Sequence, residues 1–155
     1  MSIDTHWFST LFGWYTFSGM WVSAMITAVI LVLYLKRKGY LPQVNNSHIH
    51  DMGKWVFAIS FLWSYLYFSQ FMLIWYSNIP EETAYYLRRR ENGWEILSAL
   101  LCFGHFVVPF LILLLRKVKQ SSLALAGVGL WMILMHVLDV FWVIRPMVYA
   151  SVPAD

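Results

Sequence analysis

Four long apolar runs separated by short polar stretches set the pattern of this chain: Gly13–Leu35, Trp55–Tyr76, Trp94–Leu115 and Leu123–Ile144. Each approaches the ~20 apolar residues that a helix needs to cross a bilayer. Inside hydrocarbon the backbone must satisfy its own hydrogen bonds, so the runs predict helices. A membrane β-barrel would need polar and apolar residues alternating in runs of about ten, and these are absent. Short loops make consecutive helices antiparallel. The expected fold is all-α and integral to the membrane. Residues 1–155 form a single antiparallel four-transmembrane-helix bundle, with helices near 13–38, 54–78, 93–117 and 121–147 and short interfacial helices.

Composition strengthens that reading. The 155 residues are 60% hydrophobic, 19% aromatic and only 12% charged, against about 25% charged in a soluble domain. The mean hydropathy is +0.60. Cys102 is the single cysteine, which excludes a disulfide framework and a cysteine-rich metal site. The opening "MSIDTHWFSTLFGWY" lacks the basic leader and apolar core of a cleavable signal peptide. The net charge of +3 is small and sits in loops, so it speaks to topology rather than to nucleic-acid binding.

Charge also orients the bundle. The first and third loops share a side and carry Lys36, Arg37, Lys38, Lys54, Arg116, Lys117 and Lys119. The opposite side carries Arg88, Arg89, Arg90 and Arg145, offset by Glu81, Glu82 and Glu91. The Lys/Arg excess assigns the first side to the cytoplasm. Both termini are then expected to be periplasmic, in a bacterial inner-membrane protein. Trp7, Trp14, Trp75, Tyr76, Trp94 and Tyr149 cluster at the outer boundary, where amphipathic rings settle. Asp4 is expected to cap a short helix through "THWFSTLFG", and Asn78 with Pro80 to start another. In that second helix Glu81 and Glu82 lie in the first turn and the arginines in the last. "QVNNSHIHD" reads as a polar loop.

Candidate chemistry lies within the apolar runs. On the third helix Glu95, Ser98, Cys102 and His105 recur on one face, with Pro109 a turn deeper as a predicted kink. On the fourth, His136 and Asp139 share a face by their i, i+3 spacing. His105 lies eleven residues in from Trp94, and His136 eleven from Met147 on an antiparallel helix. The two histidines are therefore expected at the same depth. Ionisable groups in a membrane normally face the bundle interior and pair with one another. Asp139, His136, His105 and Glu95 are thus proton-relay candidates. The competing reading makes them interhelical hydrogen-bond partners that only hold helices together. Ser64, Tyr65 and Gln70 are candidates for a hydrated path or a quinone headgroup site. His50 and Asp51 look like a helix cap or, alternatively, a cytoplasmic proton entrance. Thr16, Gly19, Ser23 and Thr27 form a small-residue stripe suited to close packing. Two histidines at one depth also raise a bis-histidine haem. Against it, Asp139 is an awkward neighbour for an apolar macrocycle, and His48 and His50 lie in a loop rather than in a second facing pair.

"MSIDTHWFSTLFGWY", "FAISFLWSYLYFSQFMLIWYSNIPEET" and "GHFVVPFLILLLRK" resemble the membrane subunits of bacterial alternative complex III, a quinol:cytochrome c oxidoreductase. The chain is most similar to the F-type subunit of the polysulfide reductase/NrfD-like group. Such subunits are larger, with about ten helices that include two four-helix bundles, and this chain resembles, over essentially its whole length, only the second bundle and its flanks. The resemblance implies an integral subunit of a quinol-oxidising respiratory complex that scaffolds the assembly and conducts protons. This chain would bind no cofactor and supply no catalytic residue. Quinol, haem c and Fe–S clusters would belong to the complex. Its partners would be other membrane subunits, a multihaem cytochrome c and an Fe–S subunit, with lipid and menaquinol or ubiquinol nearby and no nucleic acid. A purely structural anchor and a b-type cytochrome are the alternatives.

Overall fold

The structure, a computed structural model, describes residues 9–90 and 93–150 and no side chain beyond Arg145. Asp4, Trp7, Glu91 and the side chain of Tyr149 lie outside the described residues, so the helix that Asp4 was expected to cap is not described. The fold is an all-α bundle with four helices long and apolar enough to cross a membrane. Only 28% of the most apolar stretch in each span is buried. Large apolar side chains such as Phe61, Leu73, Leu111, Leu134 and Val137 face outward from the spans, as a lipid solvent allows.

Helix α1 (Thr10–Arg37) starts three residues before the predicted limit, so "TLFG" is the first turn of a span. Lys36 and Arg37 complement the negative end of its dipole. Gly39, at φ 85°, reverses the chain. The Tyr40 N–H reaches the Leu35 carbonyl at 3.1 Å and the Gly39 N–H the Lys36 carbonyl at 3.0 Å. This pattern closes a helix on a left-handed glycine.

Helix α2 (Asn46–Ser77) begins eight residues earlier than predicted. Asn45 caps it reciprocally with His48. The Asn45 Oδ1 accepts from the His48 N–H at 3.0 Å, and the Asn45 N–H donates to His48 Nδ1 at 3.4 Å. His48 thus takes the place of the Glu or Gln of a capping box. Of the polar run, residues 43–45 are loop as expected and the rest, from Asn46, is helix, and His50 and Asp51 lie beyond the cap rather than forming it. At the far end Asn78, at φ 49°, closes α2 with its N–H on the Ile74 carbonyl at 3.1 Å. Asparagine tolerates this left-handed geometry. Asn78 therefore ends one helix instead of starting the next.

Helix α3 (Pro80–Leu87) has Pro80 and the two glutamates in its first turn as predicted, but Arg88–Arg90 follow it in a turn. The third span runs from α4 (Trp94–Leu101) through a π-helical turn (Cys102–Val107) into α5 (Val108–Leu114). Pro109 accounts for one consequence of that turn. The Val108 N–H bonds the Phe103 carbonyl, and Pro109 has no N–H. The Gly104 carbonyl loses both neighbouring donors and accepts instead from Trp131 Nε1 at 2.8 Å. The span ends at Leu114, short of the expected 117. Leu115 is extended, and α6 (Arg116–Gln120) is a separate helix packed on α2. Helix α7 (Ser122–Ala150) is the fourth span.

The interior has two parts. Aliphatic residues, among them Val22, Ile26, Val29, Val56, Ile59, Leu113, Leu125 and Met132, fill the half toward the basic end, where the lysines of α1, α2 and α6 sit. Helices α1 and α7 approach closely at glycines. A Cβ on Gly129 would lie 2.8 Å from Ile26 Cγ2, and one on Gly19 2.6 Å from His136 Cε1. Of the predicted small-residue stripe, Gly19 and its neighbour Ser18 are buried, whereas Thr27 is exposed. The other half, toward α3, is polar and aromatic.

Candidate functional site

Asp139 sits at the centre of that second half, 3% exposed. The i, i+3, i+7 rhythm of α7 puts Met132, Met135, Asp139 and Trp142 on its buried face. One carboxylate oxygen accepts a hydrogen bond from the Tyr15 hydroxyl across the bundle on α1. The other lies 3.9 Å from His136 Nδ1, beyond direct hydrogen-bond reach. His136 fits against Gly19 because that position carries no Cβ. Its ring meets His105 at 6.1 Å between centroids and 66° between planes, so the two histidines do share a depth. Trp63 stacks on His105 at 3.9 Å. Tyr15, Trp63 and Tyr67 pack on one another at 5.5–5.9 Å and wall the cluster on the α1–α2 side.

Several nitrogens there have no hydrogen-bond partner: His105 Nδ1, His136 Nδ1 and Trp63 Nε1. A buried polar group left in this state is costly. The bundle keeps three of them around Gly19 and Asp139 while satisfying most other polar groups locally. Ser18, Ser23 and Ser60 return hydrogen bonds to their own helices at 2.6–3.0 Å. Ser98 returns one at 2.9 Å and also receives Trp142 Nε1 at 2.7 Å.

The structure separates the remaining sequence candidates. Glu95 and Cys102 are exposed, outside the cluster. The inward face of α4 runs through Trp94, Leu97, Ser98 and Leu101, so Glu95 and Cys102, seven residues apart, lie together beyond its edge. Ser98 and His105 face inward and Cys102 does not. Tyr65 is 60% exposed on the outer surface, whereas Ser64 and Gln70 are buried. His50 is half-buried and Asp51 is exposed, 2.7 Å from Lys54. Along α2, Val56 and Ile59 stand between these two and the Trp63 level. The basic end and the Asp139 cluster are thus divided by aliphatic packing.

Two elements of the site escape a sequence reading. Tyr15 is one of many aromatics in its run. The signal that could single it out is its helical spacing with Ser18, Gly19, Val22 and Ile26, which together define the buried face of α1. Arg89 is the middle of three arginines and is 2% exposed, while Arg88 and Arg90 are exposed. Its guanidinium donates to the Tyr85 carbonyl at 2.7 Å and the Val143 carbonyl at 2.8 Å. It also lies 3.5 Å from the Tyr85 ring centre and 4.7 Å from that of Trp142. Burial lowers its pKa from the usual arginine range. Burial also raises the Tyr85 phenol to about 12, with the adjacent Arg89 charge pulling the other way, and raises Tyr86 further. Arg89 and its tyrosines therefore close the α3 end of the bundle, and Tyr67 touches both Trp142 and Tyr15 beneath them.

Four apolar spans around a buried carboxylate, one buried imidazole and one half-buried imidazole define a multi-pass helical membrane protein with an ionisable centre. No family model matches the chain, and no curated protein is significantly similar to it.

Proposed function

We propose that this chain is an integral membrane subunit of a quinol-oxidising respiratory complex of the alternative complex III type, where it scaffolds the assembly and relays protons. Its sequence likeness to the F-type subunits supports the first part. The observation that carries the second is Asp139, hydrogen-bonded to Tyr15 and adjacent to His136, in the middle of an apolar bundle. Ionisable groups in such a place are expensive and typically serve ion or proton movement. The relay consists of Tyr15, Asp139, His136 and His105. Glu95, exposed to the outside, has no part in it. The 3.9 Å between Asp139 and His136 is a gap that a small ring rotation or one bridging water spans. The relay faces the α3 end, which the charge rule makes periplasmic and which Arg89 and Tyr85 close over it. His50 and Asp51 do not feed it, since aliphatic packing lies between.

A second reading is favoured by the Tyr15–Asp139 hydrogen bond itself, which joins the first and last helices. In that reading the polar residues are architecture alone. Purification of the intact complex with Asp139→Asn separates the two. An assembled complex that transfers electrons without releasing protons supports the relay. Normal proton release from the assembled variant rejects it, and a complex that fails to assemble favours the architectural role. Co-purifying multihaem cytochrome c and Fe–S protein test the family proposal, and a Soret band arising from the isolated chain would replace it with a b-type cytochrome.

A further inference from the structure

The end of the bundle remote from Asp139 carries a groove of 490 Å3 between the last turns of α1 and the first of α7. Its deeper wall is apolar: Ile30 and Leu33 on α1, Leu123 and Ala126 on α7. Its rim carries Lys36 and Arg37, with Tyr34 and Ser122 beside them. Among the described residues no carboxylate lines it. Asp51, on α2, is engaged by Lys54 at 2.7 Å, and Lys36 makes a long 3.4 Å contact to the Asn46 side-chain oxygen. From Ile30 to Lys36 the α1 surface passes from hydrocarbon-compatible to cationic over roughly 9 Å.

The geometry points to this groove as a binding site for an anionic phospholipid, with the phosphodiester on Lys36 and Arg37 and the first acyl carbons along Ile30, Leu33 and Ala126. Three features select that occupant. The groove opens on the outward surface of two spans, where lipid is the solvent. The cations sit where a headgroup lies when acyl chains run beside the spans, and basic pockets between helices at this level take anionic headgroups. The volume lies within the range of small-molecule sites, and the guanidinium of Arg37 suits a phosphate in a way a single ammonium does not. A zwitterionic lipid would set its own cation against Lys36 and Arg37. The site owes nothing to Asp139 or to the relay.

Native mass spectrometry of the protein in detergent, given equal amounts of phosphatidylglycerol and phosphatidylcholine with identical chains, tests this. Wild type should retain phosphatidylglycerol with roughly thirtyfold preference, the scale expected for two basic charges near a headgroup. The double variant Lys36→Gln/Arg37→Gln should lose the preference. Arg116→Gln/Lys117→Gln, the same charge change on α6, should keep it. Ala126→Trp fills the apolar wall without altering charge and should displace both lipids. Equal retention by wild type overturns the site, as does equal loss of preference in the α6 variant, which would mean a diffuse charge effect. Displacement by soluble glycerol phosphate at the same concentration as lipid would make the occupant a free phosphate ester and overturn the lipid assignment.

Discussion

The two halves of this bundle share the same helices and differ in what fills them. Toward the basic end the interior is aliphatic, and α1 and α7 meet at Gly129 against Ile26. Toward α3 the same pair of helices meets at Gly19 against His136, and the interior is Tyr15, Trp63, Tyr67, His105 and Asp139. Lipid tails are as apolar as leucine, so helix association in a membrane rests on packing and interhelical hydrogen bonds. Aliphatic residues with close approaches at Gly53 and Gly129 suffice for the first half. The second uses bulky aromatics and polar groups where a simpler core would pack, and it leaves ring nitrogens unpartnered. A region that departs from the simplest stable solution is where function is expected. On the proposed reading the aliphatic half serves stability and the polar half the chemistry.

Arg89 offers the sharpest test of the chemical half, because its closure is made of charge and rings. Arg89→Ala leaves the Val143 carbonyl without that donor and opens a cavity under Tyr85. Loss of about 3 kcal/mol is expected from the charge-assisted hydrogen bonds and ring contacts, with hydrogen exchange accelerated in α3 and unchanged near Ile26. Equal acceleration at both ends would dissolve the distinction. Arg89→Lys should not rescue it, since an ammonium cannot bridge two carbonyls and two rings in the same way.

Alkaline titration reports the same closure. With the Tyr85 phenol raised from 10.0 to about 12, the folded state favours the neutral form. Its contribution is complete below pH 10 and lost as pH rises through about 12, a change of about 2–3 kcal/mol. The tyrosinate difference spectrum between wild type and Tyr85→Phe should rise near pH 12. A rise near pH 10 would mean that Tyr85 is open to water.

The aliphatic half is tested by two neighbouring glycines. A Cβ on Gly127 would meet nothing within 4 Å, whereas one on Gly129 would press on Ile26 at 2.8 Å. Gly127→Ala should stabilise by roughly 0.5–1 kcal/mol through helix propensity. Gly129→Ala should destabilise by at least about 1 kcal/mol. Opposite signs in a denaturant series locate the close approach of α1 and α7, and equal signs would remove it. The smallest effect concerns the link between first and last helices. Tyr15→Phe should cost about 0.6 kcal/mol, the mean for interhelical hydrogen bonds in membranes. A double-mutant cycle with Asp139→Asn should show that the two losses are not additive.

The architecture was legible because hydrophobic runs long enough to cross a bilayer leave the backbone few alternatives. The shared face of His136 and Asp139 followed from α spacing, and the meeting of His105 with His136 from residue counts on antiparallel helices. Glu95 and Cys102 share a stripe of the third span, as the spacing says, but the neighbouring stripe of Leu97, Ser98 and Leu101 is the one turned inward, and spacing alone does not fix that rotation. The α2 start was missed because "NNSHIHD" is polar, and polarity outside the hydrocarbon does not exclude helix once Asn45 and His48 cap each other.

By itself the sequence determined that the chain spans a membrane as four helices, and which two of them carry ionisable groups inside it. That much depends on length, hydropathy and period, all local properties. Only the tertiary structure decided that Tyr15 meets Asp139, that Arg89 rather than Arg88 or Arg90 turns inward, and that aliphatic packing separates the basic end from the acidic centre. Those facts depend on how helices rotate against one another, which is set by side chains distant in sequence and by a few close approaches at glycine.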